Sequence, residues 1–122
     1  MKRFYEARDR REQMLLPPSL DEMVPADDPV RVIDTLVDEL DLRGLIQRYP
    51  GGGRPAYHPR MMVKVLFYAY FRGITSSRKI AQALEENQRF IWLAQALTPD
   101  FRTISDFRKD NLEHLGELFA QI

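Results

Sequence analysis

The strongest pattern along the chain is an apolar block from Met61 to Phe71, in which ten of eleven residues are apolar and Lys64 is the exception. A helix that is apolar all round is a buried one, so this block predicts the central core helix. His58-Pro59 opens it, with proline at the first helical position, and Gly73 stands where a left-handed cap would close it. Phe67, Tyr68, Tyr70 and Phe71 read as core rather than as an exposed stacking platform. Upstream, Val30, Ile33, Val37 and Leu40 recur at helical spacing while Asp34, Asp38 and Glu39 face away. That spacing predicts an amphipathic helix of about three turns, capped by Asp28 with Pro29 in its first position. Leu42, Leu45 and Ile46 predict a further short helical piece ending before Tyr49-Pro50.

Beyond the core block the period stays helical. Thr75-Ser76-Ser77 supplies capping hydroxyls for a short helix over 78–86, with Ile80, Ala81 and Leu84 inward. Asn87 caps a following helix that contains Phe90, Ile91, Leu93 and Ala94. Two short helices meeting at a corner closed by small and apolar residues fit a helix-turn-helix, although Glu85 stands where a glycine often makes the turn. Leu97-Thr98-Pro99-Asp100 interrupts the pattern. Thr103 then reads as the cap of a final helix from Ile104 to about Phe119, with Asp106 in a capping-box-like place. Its apolar face is Ile104, Phe107, Leu112, Leu115, Leu118 and Phe119, and its early outward face is Ser105, Arg108 and Lys109.

The N-terminal part lacks this regularity. Residues 1–14 are polar and predict a mobile arm or a short frayed helix. Leu15 to Pro29 holds four prolines and predicts an extended strap anchored by Leu16, Leu20, Met23 and Val24. Gly51-Gly52-Gly53-Arg54-Pro55 predicts a flexible break and lacks the spacing of a phosphate loop. The fold class is therefore all-α: a single small helical domain over 15–122 with a helix-turn-helix-like arrangement and an extended proline-rich strap, preceded by the arm 1–14.

Composition narrows the chemistry. A chain of 122 residues with 44% apolar and 30% charged residues suits one globular domain. It has no cysteine, which excludes disulfides, thiolate metal sites and thiol nucleophiles, and two histidines cannot make a zinc site alone. No apolar run approaches the ~20 residues of a membrane span. The first residues carry charges where a secretion signal would be apolar, so a cytoplasmic protein is expected. No Ser–His–acid arrangement emerges, because His58 opens a helix and His114 falls on the outer face of the last one.

A net charge of zero conceals two opposed halves. Residues 21–41 carry eight acids against Arg31, a net of −7, whereas residues 54–109 carry ten bases against four acids, a net of +6. The acids read as the wet side of an amphipathic helix. The bases admit two readings: an anionic partner, or a second face drawn to the first inside one fold. Hydroxyl and basic side chains near the start of the last helix, preceded by Arg102, suit docking on phosphates or base edges.

Three runs carry a family resemblance. Leu16-Pro17-Pro18-Ser19-Leu20 with Val24-Pro25-Ala26-Asp27-Asp28-Pro29-Val30-Arg31 is the first. Gly53-Arg54-Pro55-Ala56-Tyr57-His58-Pro59-Arg60, leading through the apolar helix to Gly73-Ile74-Thr75-Ser76-Ser77-Arg78, is the second. Leu97-Thr98-Pro99-Asp100-Phe101-Arg102-Thr103-Ile104-Ser105-Asp106-Phe107-Arg108-Lys109-Asp110-Asn111 is the third. In this order, over residues 15 to about 115, they resemble the InsH-type N-terminal domain of DDE-class insertion-sequence transposases. The resemblance implies a bacterial or archaeal DNA-binding domain that recognises the double-stranded terminal repeats of an element, with homo-oligomers as a further partner and no membrane. It implies that cutting belongs to a ribonuclease-H-like domain using Mg2+. Asp100, Asp106 and Asp110 match the helical domain's own motif, so catalytic roles are not carried onto them, and no cofactor is expected in this chain. On this reading Arg78, Lys79 and Arg89 contact the DNA backbone, Arg102, Thr103, Ser105, Arg108 and Lys109 line the recognition helix, and Arg54 and Arg60 are secondary candidates beside the glycine loop. The alternative is a helical dimerisation or regulatory module without cutting activity.

Overall fold

The computed structural model describes residues 4–11, 19–49 and 56–121. Within them the chain is helical: after a 3-10 turn at Leu20–Met23 come α1 (Pro29–Asp38), α2 (Arg43–Ile46), α3 (Pro59–Phe71), α4 (Ser77–Glu86), α5 (Gln88–Leu93), α6 (Phe101–Asp110) and α7 (Leu112–Ala120). The only strand-like pairing among the described residues is an isolated parallel bridge between Phe4 and Ala56. The anchor Leu16, the first two prolines of the strap and the run Gly51–Pro55, including candidate Arg54, lie outside the described residues.

Local capping chemistry sets most helix starts. Asp28 accepts from Val30 N–H at 3.0 Å, with Pro29 in the first turn. His58 Nδ1 accepts from Arg60 N–H ahead of Pro59, Ser76 Oγ accepts from Lys79 N–H, and Asn87 Oδ1 accepts from Arg89 and Phe90. Each satisfies an amide that the helix leaves without a partner. Gly73 ends α3 at φ +76°, a conformation any Cβ would strain.

The core gathers on α3. Met62, Val63, Val65, Leu66, Tyr68 and Ala69 are buried on every side, α1 packs along the helix, and α5 and α4 cover its other flank. Tyr68 meets Phe90 at a ring separation of 4.9 Å, and Phe67 meets Phe119 edge-on at 5.3 Å. The last turn departs from expectation: Tyr70 and Phe71 project outward, Phe71 being 59% exposed and Tyr70 only partly covered by Phe119, edge-on at 5.8 Å.

The C-terminal third differs from expectation in three places. The final helix is two helices. Asn111 is almost fully buried at the joint, and its Nδ2 donates to the Tyr49 hydroxyl (3.1 Å) and to Phe107 O (2.9 Å), a carbonyl it shares with the Asn111 backbone N–H (3.2 Å). Asp100, not Thr103, caps α6: its carboxylate accepts from Thr103 N–H at 2.8 Å, which draws Phe101–Thr103 into the first turn. His114, expected outside, is half-buried, with Nε2 enclosed and without a partner among the described residues.

The N-terminal segment differs as well. Residues 4–11 form no frayed helix but lie extended across the domain, with Tyr5 N–H donating to Ala56 O and Arg8 N–H to Gln95 O. Arg10 ends in the protein: its guanidinium binds both oxygens of Asp34 (3.1 and 3.2 Å), donates to the carbonyls of Trp92 and Leu93, and lies 4.1 Å above the Trp92 ring. Asp34, expected on the wet face, is buried by this contact and by Lys64, whose Nζ sits 2.7 Å from Asp34 and 2.8 Å from Asp38. The block's one lysine is therefore a buried, doubly paired charge rather than a point of solvent contact.

Candidate nucleic-acid interface

The fold divides the basic half of the chain into cations it uses and cations it leaves at the surface. Arg60 Nη1 donates to Val37 O at 2.6 Å and reaches Leu40 O, closing the carbonyl end of α1. Arg89, expected on a DNA backbone, has its Nε 2.6 Å from the buried carboxylate of Asp28. Burial pushes the Asp28 carboxyl up, but the Val30 amide and Arg89 outweigh it and hold the group below the usual carboxylate range. Together with the pairing of Lys64 on α3 with Asp34 and Asp38 on α1, these are the contacts of the reading in which the two charged faces attract each other. They remove Arg60, Lys64 and Arg89 from the surface cations best able to meet a partner.

Arg78, Lys79, Arg102 and Lys109 remain, exposed and without an ion pair among the described residues. Two helices that pack on each other, α4 and α6, carry them. Ile80 and Leu84 on α4, and Ile104 and Phe107 on α6, form the buried sides, which leaves Arg78, Lys79, Arg102, Ser105 and Lys109 outward. Arg78 is held toward α6, its guanidinium carbon 3.9 Å above the Phe101 ring. Arg108 is more internal than its spacing suggested. It is half-buried, donates to Thr75 O (2.7 Å) and Ser77 Oγ (3.1 Å), and lies 5.6 Å over Tyr70, so it fixes the turn that starts α4. Thr103 is also half-buried and borders a cleft on the far side of α6.

The order of charges on α4 opposes its own dipole. Arg78 and Lys79 occupy the first turn, whereas Glu85 and Glu86 occupy the last, both exposed. Helices favour the reverse order, because amides concentrate positive potential at the N-terminus and carbonyls negative potential at the C-terminus. The arrangement works against the isolated helix and adds two cations to an end that already attracts anions. Both glutamates stand at the opposite end, clear of that potential. Among the described residues no three His, Asp or Glu side chains converge so as to hold a metal ion, so no step through magnesium is derived for this chain.

The sequence reading missed Arg10 altogether, because it is one of four arginines in a segment without periodicity. It also missed the cap at Asp100, which the Pro99-Asp100 pair would have marked had the first turn been counted from there.

The chain belongs to the family described as Transposase domain (DUF772), which matches residues 18–110. That match agrees with the resemblance to the N-terminal domain of insertion-sequence transposases, and the role of this chain is transposase-related. Neither a curated protein nor a solved structure matches the chain. No helix among the described residues is long and apolar enough to cross a membrane.

Proposed function

We propose that this domain binds double-stranded DNA at the ends of a transposable element, with α6 as the reading helix and the start of α4, packed beside it, as the phosphate clamp. The observation that carries the reading is the set of four outward cations on α4 and α6, two of them placed against the dipole at the α4 N-terminus. Membership in a transposase family supplies the kind of DNA. On this reading Lys79 and Arg78 meet the backbone, while Ser105, Lys109 and Arg102 face the bases or their flanking phosphates. Arg108 holds the clamp in shape.

Fluorescence anisotropy with an element-end duplex and a scrambled duplex, over a range of salt concentrations, tests this. If the four cations neutralise four phosphates, log K should fall with log salt at a slope of about −3.6. Lys79→Ala should weaken both duplexes alike and reduce that slope by about 1. Ser105→Ala should instead narrow the preference for the end sequence. Binding that is absent, or indifferent to salt and to Lys79→Ala, would overturn the reading in favour of a helical dimerisation module.

A further inference from the structure

On the opposite border of α6 from α4 lies a cleft of about 280 Å3 between that helix, the N-terminal segment and the residues before α3. Tyr5, Tyr49 and Tyr57 line it together with Met62 and Phe107, and Asp106 and Asp110 stand along its α6 wall. Tyr5 and Tyr57 have ring centroids 4.8 Å apart at 42°, which makes one tilted aromatic wall. Asp106 and Asp110 are exposed, four residues apart on one helix, and neither forms an ion pair among the described residues, although Arg102 and Lys109 sit about one turn away. Like charges at that spacing weaken a helix.

We propose that this cleft receives one arginine side chain presented by a partner polypeptide. Electron-rich ring faces attract a cation, tyrosine among them, and the attraction grows as water is displaced. Two carboxylates on the facing wall give the same ligand a place for its N–H fork. A planar guanidinium can stack on an aromatic wall while donating sideways, which an ammonium cannot do, so arginine is favoured over lysine. The Tyr57 hydroxyl is pushed up by burial, with Tyr5 and Asp100 adding to the effect, so the phenol stays neutral. DNA is excluded by the same carboxylates, which leaves α6 with one border for an anion and one for a cation. Capture of an arginine here does not depend on DNA binding.

The full chain, 15N-labelled, is titrated with the capped tripeptide Gly-Arg-Gly and with its citrulline and lysine counterparts, following amide shifts of Tyr5, Tyr57, Asp106 and Asp110. The arginine peptide should shift these amides saturably, citrulline should not, and lysine should bind more weakly. Asp106→Asn with Asp110→Asn should weaken binding about two- to fivefold, as for an exposed ion pair. Tyr57→Leu should weaken it by about the same factor through loss of the ring face. Thermal melts confirm folding of each variant, and the two exposed aspartates serve if Tyr57→Leu unfolds. Equal shifts from arginine and citrulline, or shifts unchanged in the aspartate variant, would overturn the proposal. So would binding seen only after Arg54→Ala, which would assign the cleft to the chain's own arginine.

Discussion

At the scale of single residues, the charge of Lys64 is the most consequential. A lysine in an otherwise apolar helix predicts a point that meets solvent or an acidic partner, with Asp34 and Asp38 as the neighbour, and loss of an exposed pair costs at most about 1 kcal/mol. The structure instead buries it against Asp34 and Asp38. Breaking a buried pair typically costs about 3–5 kcal/mol, and Arg10 still partly compensates Asp34. Lys64→Met should therefore lose about 3 kcal/mol, read as a lower midpoint in urea titration. The sequence pointed to the partner carboxylates but not to their burial. Asp34 is enclosed by an arginine 24 residues away in a segment with no periodicity to place it. Asp28 has a related role with a pH signature. Its folded pKa lies below the ordinary value of 3.8, so its contribution is complete above that value and is lost as pH falls through the folded one. Asp28→Asn keeps an acceptor for Val30 N–H but removes the charge facing Arg89. Its melting temperature should fall near neutral pH and change less than that of the parent on acidification below about pH 4.

At the scale of elements, helix identity was legible and helix ends were less so. The starts at Pro29, Pro59, Ser77 and Gln88 follow from a proline or a capping side chain within three residues, which is information the local sequence holds. The start of α6 was misplaced because Asp100 and Thr103 each satisfy the capping pattern, and only the Asp100 hydrogen bond decides between them. The break at Asn111 could not be read locally, since its hydroxyl partner, Tyr49, is 62 residues distant. Asp100→Ala should lower the midpoint of thermal unfolding, whereas Asp100→Ser should restore most of that loss. An alanine variant as stable as the parent would return the cap to Thr103. The candidate interface was legible to the same degree: its outward residues on α6 follow from helical spacing, but the engagement of Arg60, Arg89 and Arg108 rests on tertiary partners.

At the scale of the whole molecule, the opposed charges of the two halves do two jobs. Lys64 and Arg89 pair with Asp34, Asp38 and Asp28 of the acidic half, while Arg78, Lys79, Arg102 and Lys109 stay outward on α4 and α6. The N-terminal segment belongs to this scheme, because Arg10 joins it to α1 and α5 through Asp34, Trp92 and Leu93. Arg10→Ala should cost about 2–3 kcal/mol, the range for charge-assisted hydrogen bonds. Because Arg10 and Lys64 share one carboxylate, a double-mutant cycle by urea titration should show coupling of about 1 kcal/mol or more. Additive losses would mean that the two cations act on Asp34 independently.

Single-residue joints give the domain a particular history of permitted change. Asn87 links α4 to α5, and Asn111 links α6 to α7, with nothing between the paired helices but that one residue. One residue inserted at either joint rotates the next helix by about 100°, since 3.6 residues complete a turn. The stripe carrying Phe90 and Leu93, or Leu115 and Leu118, would then swing out of the core. Substitutions on the exposed faces of these helices leave that register intact, whereas one residue inserted or deleted at either asparagine should unseat the helix that follows.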